Sequence, residues 1–184
     1  MITDEVLYNR YHRGDQNAAD ELVKRHADAL TIYLYGCIRD FHEAEDLMIE
    51  AFSLMFSKRR PVAHAGSFRA YLYRIGRNLV LRHQKKSLKS MLLSDQINFE
   101  PVEERTGEHI LVLKERNRSL YLAMEQLKPE YREALYLVYF EDMKYAEAAS
   151  VMGKTVSQLN NLVSRGKQRM KSILDREGFV YEER

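Results

Sequence analysis

The sequence has a single cysteine among its 184 residues, Cys37, which excludes an internal disulfide. Cys37 lies in an apolar run, where a buried and unreactive thiol is expected. No stretch is apolar over the ~20 residues needed to cross a bilayer, and the acidic, amphipathic N-terminus is unlike a signal peptide. We therefore expect a protein of the reducing cytoplasm, without membrane insertion.

Motifs for catalysis and metal binding are missing as well. The six histidines are scattered without the spacing of metal ligands, and the cysteine partners of a zinc site are absent. The sequence has no phosphate-binding loop and no GxSxG motif. No set of nucleophile, base and metal ligands is visible. We expect no catalytic residues, no metal or other cofactor and no small-molecule substrate, so an enzyme is the least favoured class.

Charge is present but segregated along the chain. The net charge is only +2, yet residues 58–89 hold ten bases and no acid, and residues 153–174 hold five bases and no acid. Residues 1–57 hold eleven acids against five bases, and residues 90–115 hold six acids against two bases. Two separated basic blocks indicate two contacts with one polyanion. The alternative is that these side chains only solvate helix faces.

Apolar periodicity predicts an all-α fold with two domains. Helical spacing dominates residues 1–90, weakens over 91–115, and returns over 116–184. The middle segment has clustered acids with a proline and a glycine, which is typical of a flexible linker. Asp15 is placed to cap the second helix and Pro129 to open a later one.

The segment DFHEAEDLMIEAFSLMFSKRRP predicts a helix with one apolar and one polar face. Its apolar residues recur at helical spacing and should be buried. On the opposite side, Asp46, Glu50 and Ser53 follow i, i+4 and i+7. We expect these three residues to form an exposed acidic ridge.

A basic, aromatic helix follows, in GSFRAYLYRIGRNLVLRHQKK. Ser67 should cap it, and one face should bury Phe68, Leu72, Ile75 and Leu79. The other face combines cations that attract phosphate with an aromatic ring on which an unpaired base can stack. These residues are Tyr73, Arg74, Arg77, Asn78, Leu81 and Lys85. The mixture favours an opening DNA strand over an intact duplex. Core burial of the tyrosines is the alternative, and we prefer it for Tyr71.

The segment YAEAASVMGKTVSQLNNLVSRGKQRMK has the spacing of a helix-turn-helix. Ala149 is small at the expected helix crossing, and Gly153 occupies the turn, where positive φ is needed. Thr155 should cap the second helix, which Val156, Leu159 and Leu162 should pack onto the first. The remaining residues supply amides and hydroxyls for base edges and cations for phosphates. An ordinary helical hairpin with a glycine turn is the alternative.

Together these segments resemble conserved regions two and four of the extracytoplasmic-function sigma factors of bacterial RNA polymerase. The order, the spacing and the acidic linker all match, and the resemblance covers nearly the whole chain. It implies a non-catalytic subunit that binds core polymerase, recognises promoter DNA and helps to melt it. It also implies that the free protein is a monomer by default and that an anti-sigma factor is a possible partner. Against the monomer, Tyr136 and Tyr139 are candidate interface residues.

The resemblance assigns a role to each group of residues. Core polymerase would bind Asp46, Glu50 and Ser53. The minus-ten element would be bound by the loop ending at Ser67, which captures a flipped base, and by the basic helix: His64, Ala65, Gly66, Ser67, Tyr73, Arg74, Arg77, Asn78 and Lys85. The minus-thirty-five element would be bound by Thr155, Ser157, Gln158, Asn160, Asn161, Ser164, Arg165 and Arg169.

The chain departs from the family pattern at four places. A tryptophan is usual near Phe56, an aspartate is frequent where Arg82 stands, and bases are common at the positions of Asn160 and Leu162. The departures at Arg82, Asn160 and Leu162 keep open a degenerate sigma-like protein that binds polymerase but not DNA. A freestanding helix-turn-helix regulator is a separate alternative. A dimeric regulator would need neither the acidic ridge nor a second basic surface.

Overall fold

The computed structural model describes residues 2–57, 67–93 and 118–176, and the chain divides into two compact units, Met1–Arg105 and Thr106–Arg184. All regular structure in the described residues is helical, in agreement with the all-α prediction. The division falls within the expected linker, 91–115. The basic helix continues to Leu93, so the linker does not begin at residue 91, and residues 94–117 lie outside the described part.

The first unit is built from four helices in the described residues, with α2 packed against each of the others. These are α1 (Asp4–His12), α2 (Gln16–Ile38), α3 (Phe41–Phe56) and α4 (Phe68–Leu93). The apolar stripes predicted from the sequence meet in one core, which includes Leu22, Leu30, Leu34, Ala51, Met55, Phe68 and Leu72. Burial of these side chains supplies most of the free energy that holds the unit together.

Asp15 stands at the start of α2 as expected, but its side chain makes no capping hydrogen bond to the helix. Its carboxylate instead accepts from the guanidinium of Arg10, with Nη2 at 2.7 Å and Nε at 2.9 Å. The predicted capping hydrogen bond is therefore wrong. The turn between α1 and α2 brings the Arg10 guanidinium within reach of the Asp15 carboxylate, which pairs with it and not with the helix N–H groups.

Two tyrosines of α1 hold the C-terminal end of α3. The hydroxyl of Tyr8 donates to the Met55 carbonyl at 2.8 Å, and that of Tyr11 donates to the Phe56 carbonyl at 3.2 Å. The last carbonyls of a helix lack intrahelical donors, so these bonds satisfy groups that would otherwise need water. This fixes α3, the helix of the acidic ridge, against α1.

The second unit consists of α5 (Arg118–Glu125), α6 (Pro129–Leu135), α7 (Tyr145–Met152) and α8 (Val156–Arg176) within the described residues. A π-helical turn, Tyr136–Phe140, continues α6. Pro129 opens α6 as predicted. Helices α5, α6 and α7 all pack against α8.

The turn between α7 and α8 is that of a helix-turn-helix. Gly153 has φ of 63°, a left-handed conformation that glycine adopts at little cost. Ala149 and Leu159 are buried at the crossing, as expected. Further along α8, a Cβ added to Gly166 would lie 3.2 Å from Cγ of Leu135, so α6 approaches the α8 backbone closely.

One expectation for the core of this unit is wrong. Val156 is 49% exposed, whereas Val163 is 2% exposed. Helix α8 begins at Val156, and its inward stripe starts one turn later, at Leu159, and continues through Val163. Leu162 is half-buried at the edge of that stripe.

Candidate nucleic-acid interface and partner surfaces

The acidic ridge of α3 is fully on the surface. Asp46, Glu50 and Ser53 are all exposed, as expected. Between them lies Ile49, 58% exposed, whose carbonyl accepts from the Ser53 hydroxyl at 2.9 Å. Ile49 was missed by the sequence analysis, although its spacing from Asp46 (i+3) and Ser53 (i−4) puts it on the same face. The ridge therefore combines carboxylates with an apolar side chain.

One of the two carboxylates of the ridge has a partner within the chain. Nη2 of Arg82, in α4, lies 3.4 Å from Oε1 of Glu50. The pair is open to solvent, with 66% and 50% of the two side chains exposed.

The outward face of α4 carries the expected cations. Asn78, Leu81 and Lys85 are exposed, and Arg74 and Arg77 are half-buried. The guanidinium carbon of Arg74 lies 5.2 Å from the centroid of the Tyr71 ring, a cation–π contact that orients the arginine. Tyr71 is half-buried, as the preferred alternative held.

Tyr73 does not belong to this face. Its side chain is completely buried, and its ring centroid lies 5.1 Å from that of Tyr33 in α2. The expectation of an exposed stacking surface at Tyr73 is wrong, because α2 covers the side of α4 on which this ring stands. Of the two tyrosines of α4, Tyr71 is the one whose ring has exposed surface.

The start of α4 is fixed from two sides. The Ser67 hydroxyl accepts from the backbone N–H of Ala70 at 3.2 Å, which confirms the predicted cap. The carboxylate of Glu5, in α1, accepts from the N–H of Phe68 at 3.2 Å. Glu5 is a positioning residue that no sequence pattern indicated, since it lies 63 residues away along the chain. His64, Ala65 and Gly66 lie outside the described residues.

The outward face of the helix-turn-helix holds all the residues predicted for it. Each is exposed: Thr155, Ser157, Gln158, Asn160, Asn161, Ser164, Arg165 and Arg169. Helix α8 therefore presents amides and hydroxyls over its first turns and cations further along, the arrangement that suits a major groove.

Thr155 and Gln158 form a reciprocal capping box. The Thr155 hydroxyl accepts from the Gln158 N–H at 3.2 Å, and the Gln158 amide oxygen accepts from the Thr155 N–H at 2.8 Å. The predicted cap at Thr155 is confirmed. The pattern Thr-x-x-Gln could have revealed the second bond. By accepting this hydrogen bond, the Gln158 side chain stabilises the start of α8.

An apolar groove of about 660 Å³ lies on the second unit. It is lined by Leu120, Met124, Leu135, Tyr139, Phe140, Lys167, Met170, Lys171 and Leu174. Tyr139 is 50% exposed, and the ammonium of Lys167 lies 4.6 Å from its ring centroid. A hydrogen bond to Tyr139 raises the pKa of Lys167 above its ordinary value. Tyr136 is half-buried and stacks on Phe140 at 5.4 Å.

Two further observations concern the residues that the structure describes. None of the helices there is long and apolar enough to cross a membrane. Histidine, cysteine and acidic side chains form no group of three or more that could hold a metal ion in the described ranges.

Two protein families match consecutive parts of the chain. Residues 22–89 match Sigma-70 region 2, and residues 117–170 match Sigma-70 region 4. The first match covers the ridge and the α4 face, and the second covers the helix-turn-helix.

Relatives that align over most of this chain are named as sigma factors. The chain is 30% identical over 166 residues to the ECF RNA polymerase sigma factor SigE of Mycolicibacterium smegmatis, with 88% of this chain aligned. It is 26% identical over 159 residues to the ECF RNA polymerase sigma factor SigM of Bacillus subtilis, with 85% aligned. The alignments span 64% of the first protein and 95% of the second.

Solved structures share the fold. CnrH in complex with the cytosolic domain of CnrY aligns with a TM-score of 0.66 at 23% identity, over 94% of this chain and 97% of that one. The sigma factor RpoE of Bartonella quintana, in complex with the anti-sigma factor NepR, aligns with a TM-score of 0.65 at 19% identity. That alignment covers 85% of this chain and 96% of the other.

Proposed function

The chain belongs to the sigma-70 family, in its extracytoplasmic-function group, and from this premise we propose that it is a promoter-specificity subunit of bacterial RNA polymerase. One observation carries the proposal. A single chain exposes an acidic ridge and two separate polar, cationic faces, one on each unit. A freestanding regulator needs one DNA-reading face per half-site and has no use for the ridge.

In the proposed mechanism, the ridge binds core polymerase. Asp46 and Glu50 supply charge for a basic partner surface, and Ile49 supplies apolar area that becomes buried on contact. Exposed carboxylates alone give little net affinity in water, so the apolar contribution of Ile49 supports a stable contact.

The α4 face then holds the minus-ten element as the strands separate. Arg74, Arg77 and Lys85 attract phosphates, and Asn78 is free to reach a base edge. Ser67 and Glu5 fix the start of α4, so the loop that precedes it ends at a defined point. We propose that this loop captures a flipped base, at an unstacking cost of a few kcal/mol that pocket contacts offset.

The helix-turn-helix reads the minus-thirty-five element as a duplex. The first two turns of α8 would enter the major groove, where Asn160 and Asn161 can pair with adenine. Arg165 and Arg169 would bind phosphates beyond those turns. The chain itself contributes recognition and strand opening, and the polymerase contributes the chemistry of RNA synthesis.

An antagonist that sequesters the free protein is a further proposed partner. The RpoE structure described above was solved with an anti-sigma factor, and it shares the fold of this chain. The apolar groove, with Tyr139 and Phe140 on its wall and two lysines at its edge, suits an amphipathic segment with acidic flanks.

The test of the main proposal is run-off transcription with purified core polymerase on a library of promoter fragments, with and without the protein. We expect a discrete set of transcripts that depends on the protein, and their aligned upstream sequences would give both promoter elements. Binding to core without any new transcript would support the degenerate, polymerase-binding alternative. Neither binding nor transcripts would leave the freestanding DNA-binding regulator.

A further inference from the structure

Val156 is an exposed apolar side chain at the first residue of α8. Of the large apolar residues that follow it in α8, Leu159, Val163, Met170, Ile173 and Leu174 are buried and Leu162 is half-buried. At 49% exposure, Val156 contributes little to the core. A branched side chain at this place also gives α8 no propensity advantage over alanine. Folding therefore does not explain why an apolar residue stands there.

The surroundings of Val156 are polar and face outward. Ser157, Asn160 and Asn161 are exposed on the same two turns, and Asn160 follows Val156 at i+4, on the same side of the helix. In a helix-turn-helix these turns approach base edges in the major groove. The only apolar group that base pairs present in that groove is the C5-methyl of thymine.

The capping box also affects which side chains of α8 are available to contact bases. Bidentate recognition of adenine by glutamine uses both the oxygen and the nitrogen of its amide. The oxygen of Gln158 already accepts from the Thr155 N–H at 2.8 Å. This bond fixes the orientation of the Gln158 amide at the start of the helix. Val156, Ser157 and the two asparagines are the other exposed groups of the first two turns, and Val156 is the apolar one.

We propose that Val156 is a specificity-determining residue that reads one thymine of the minus-thirty-five element through its C5-methyl group. The inference rests on the proposed function and adds a base identity to it. Burial of one methyl group against Val156 predicts a preference for thymine over uracil of about three- to fivefold.

The test uses the intact holoenzyme and DNA duplexes with a randomised minus-thirty-five segment. That segment alone is synthesised with either thymine or uracil, which differ only in the C5-methyl. For the unaltered protein, we expect one position at which thymine binds about three- to fivefold better than uracil. In Val156→Ala the ratio at that position should fall toward one, because the substitution removes the two Cγ methyl groups and leaves only Cβ to contact the thymine methyl.

Two matched variants isolate the apolar contact. Val156→Ile keeps a branched apolar side chain and should keep the ratio. Val6→Ala shortens a valine of α1 that is also 49% exposed and should leave the ratio unaltered. Thermal unfolding should be nearly unchanged in all three variants, since both side chains are exposed.

The outcomes separate this inference from the proposed function. A thymine-to-uracil ratio of one at every position in the unaltered holoenzyme overturns the role of Val156, as does a preference that is undiminished in Val156→Ala. In both cases sequence-selective binding would persist. If the holoenzyme enriches no sequence from either library, the proposed promoter recognition itself is wrong.

Discussion

Nη2 of Arg82 in α4 lies 3.4 Å from Oε1 of Glu50 in α3, so one carboxylate of the acidic ridge is paired with a cation of its own chain. Any basic partner of Glu50 must compete with this arginine. Asp46, one turn earlier, is exposed as well. The two carboxylates should therefore contribute unequally to binding.

The double variant Asp46→Arg, Glu50→Arg should abolish holoenzyme formation while leaving the fold intact. Both side chains are exposed, so charge reversal should change the partner surface with little effect on the core. Native gel electrophoresis with core polymerase measures the complex. The matched control is Asp20→Arg, Asp28→Arg, which reverses two exposed acids of α2 and should bind normally. Normal binding by the ridge variant would refute the assignment.

Replacing Arg82 with alanine should strengthen core binding by about 1.4- to fivefold. An exposed ion pair contributes roughly 0.2–1 kcal/mol, and core polymerase would no longer have to break this pair to bind Glu50. Thermal stability should hardly change. The comparison is Arg82→Lys, which retains the charge and should retain the original affinity. Competition binding against a labelled sigma factor measures both. Weaker binding by the alanine variant would mean that Arg82 itself contacts the polymerase.

Arg77→Ala and Asn78→Ala should reduce promoter opening more than core binding, since both residues lie on the α4 face and not on the ridge. Permanganate reactivity of unpaired thymines reports opening, and gel shifts report the complex. The arginine variant should also reduce the salt dependence of promoter binding by about one phosphate contact. Equal losses of opening and core binding would indicate a structural role instead.

Two variants of Gln158 test whether the capping box stabilises the start of α8. Gln158→Ala removes both the side-chain acceptor and its bond to the Thr155 N–H, and it should destabilise the protein by about 1 kcal/mol. Gln158→Glu keeps an acceptor oxygen at the start of α8, where negative charge is favourable, and should preserve stability. Urea unfolding of the two variants tests this. If both lose stability equally, the bond is unimportant in solution.

The ionisation of Tyr8, in α1, should make the free energy of unfolding depend on pH in the alkaline range. Burial raises the pKa of the Tyr8 phenol above its ordinary value of 10.0, and nearby Tyr11 raises it further. The folded state thus retains the proton that donates to Met55, whereas the unfolded chain ionises near pH 10. The stabilisation is complete below pH 10 and is lost as pH rises through the folded pKa.

Tyr8→Phe should cost about 1 kcal/mol at neutral pH and flatten the alkaline decline in stability. Urea midpoints between pH 8 and about 11 follow the effect. Tyr11→Phe, which removes a longer and less buried bond, should cost less. An identical alkaline decline in the Tyr8→Phe protein would show that another group is responsible.

Local sequence patterns suffice to predict the all-α fold, the two units, the exposed acidic ridge and the exposed polar face of α8. These follow from local periodicity, from Pro129 and Gly153, and from polar residues at i, i+4 and i+7, all of which act within a few residues. A capping motif such as Thr155 with Gln158 is local in the same way.

The burial of Tyr73, the exposure of Val156 and the ion pair of Glu50 depend on tertiary contacts instead. Tyr73 is buried because α2 crosses its side of α4, Val156 is exposed because the inward stripe of α8 starts one turn later, and Glu50 meets an arginine 32 residues away. Helical spacing states which residues share a face. Which neighbouring helix covers that face depends on contacts distant in sequence, and no local pattern specifies them.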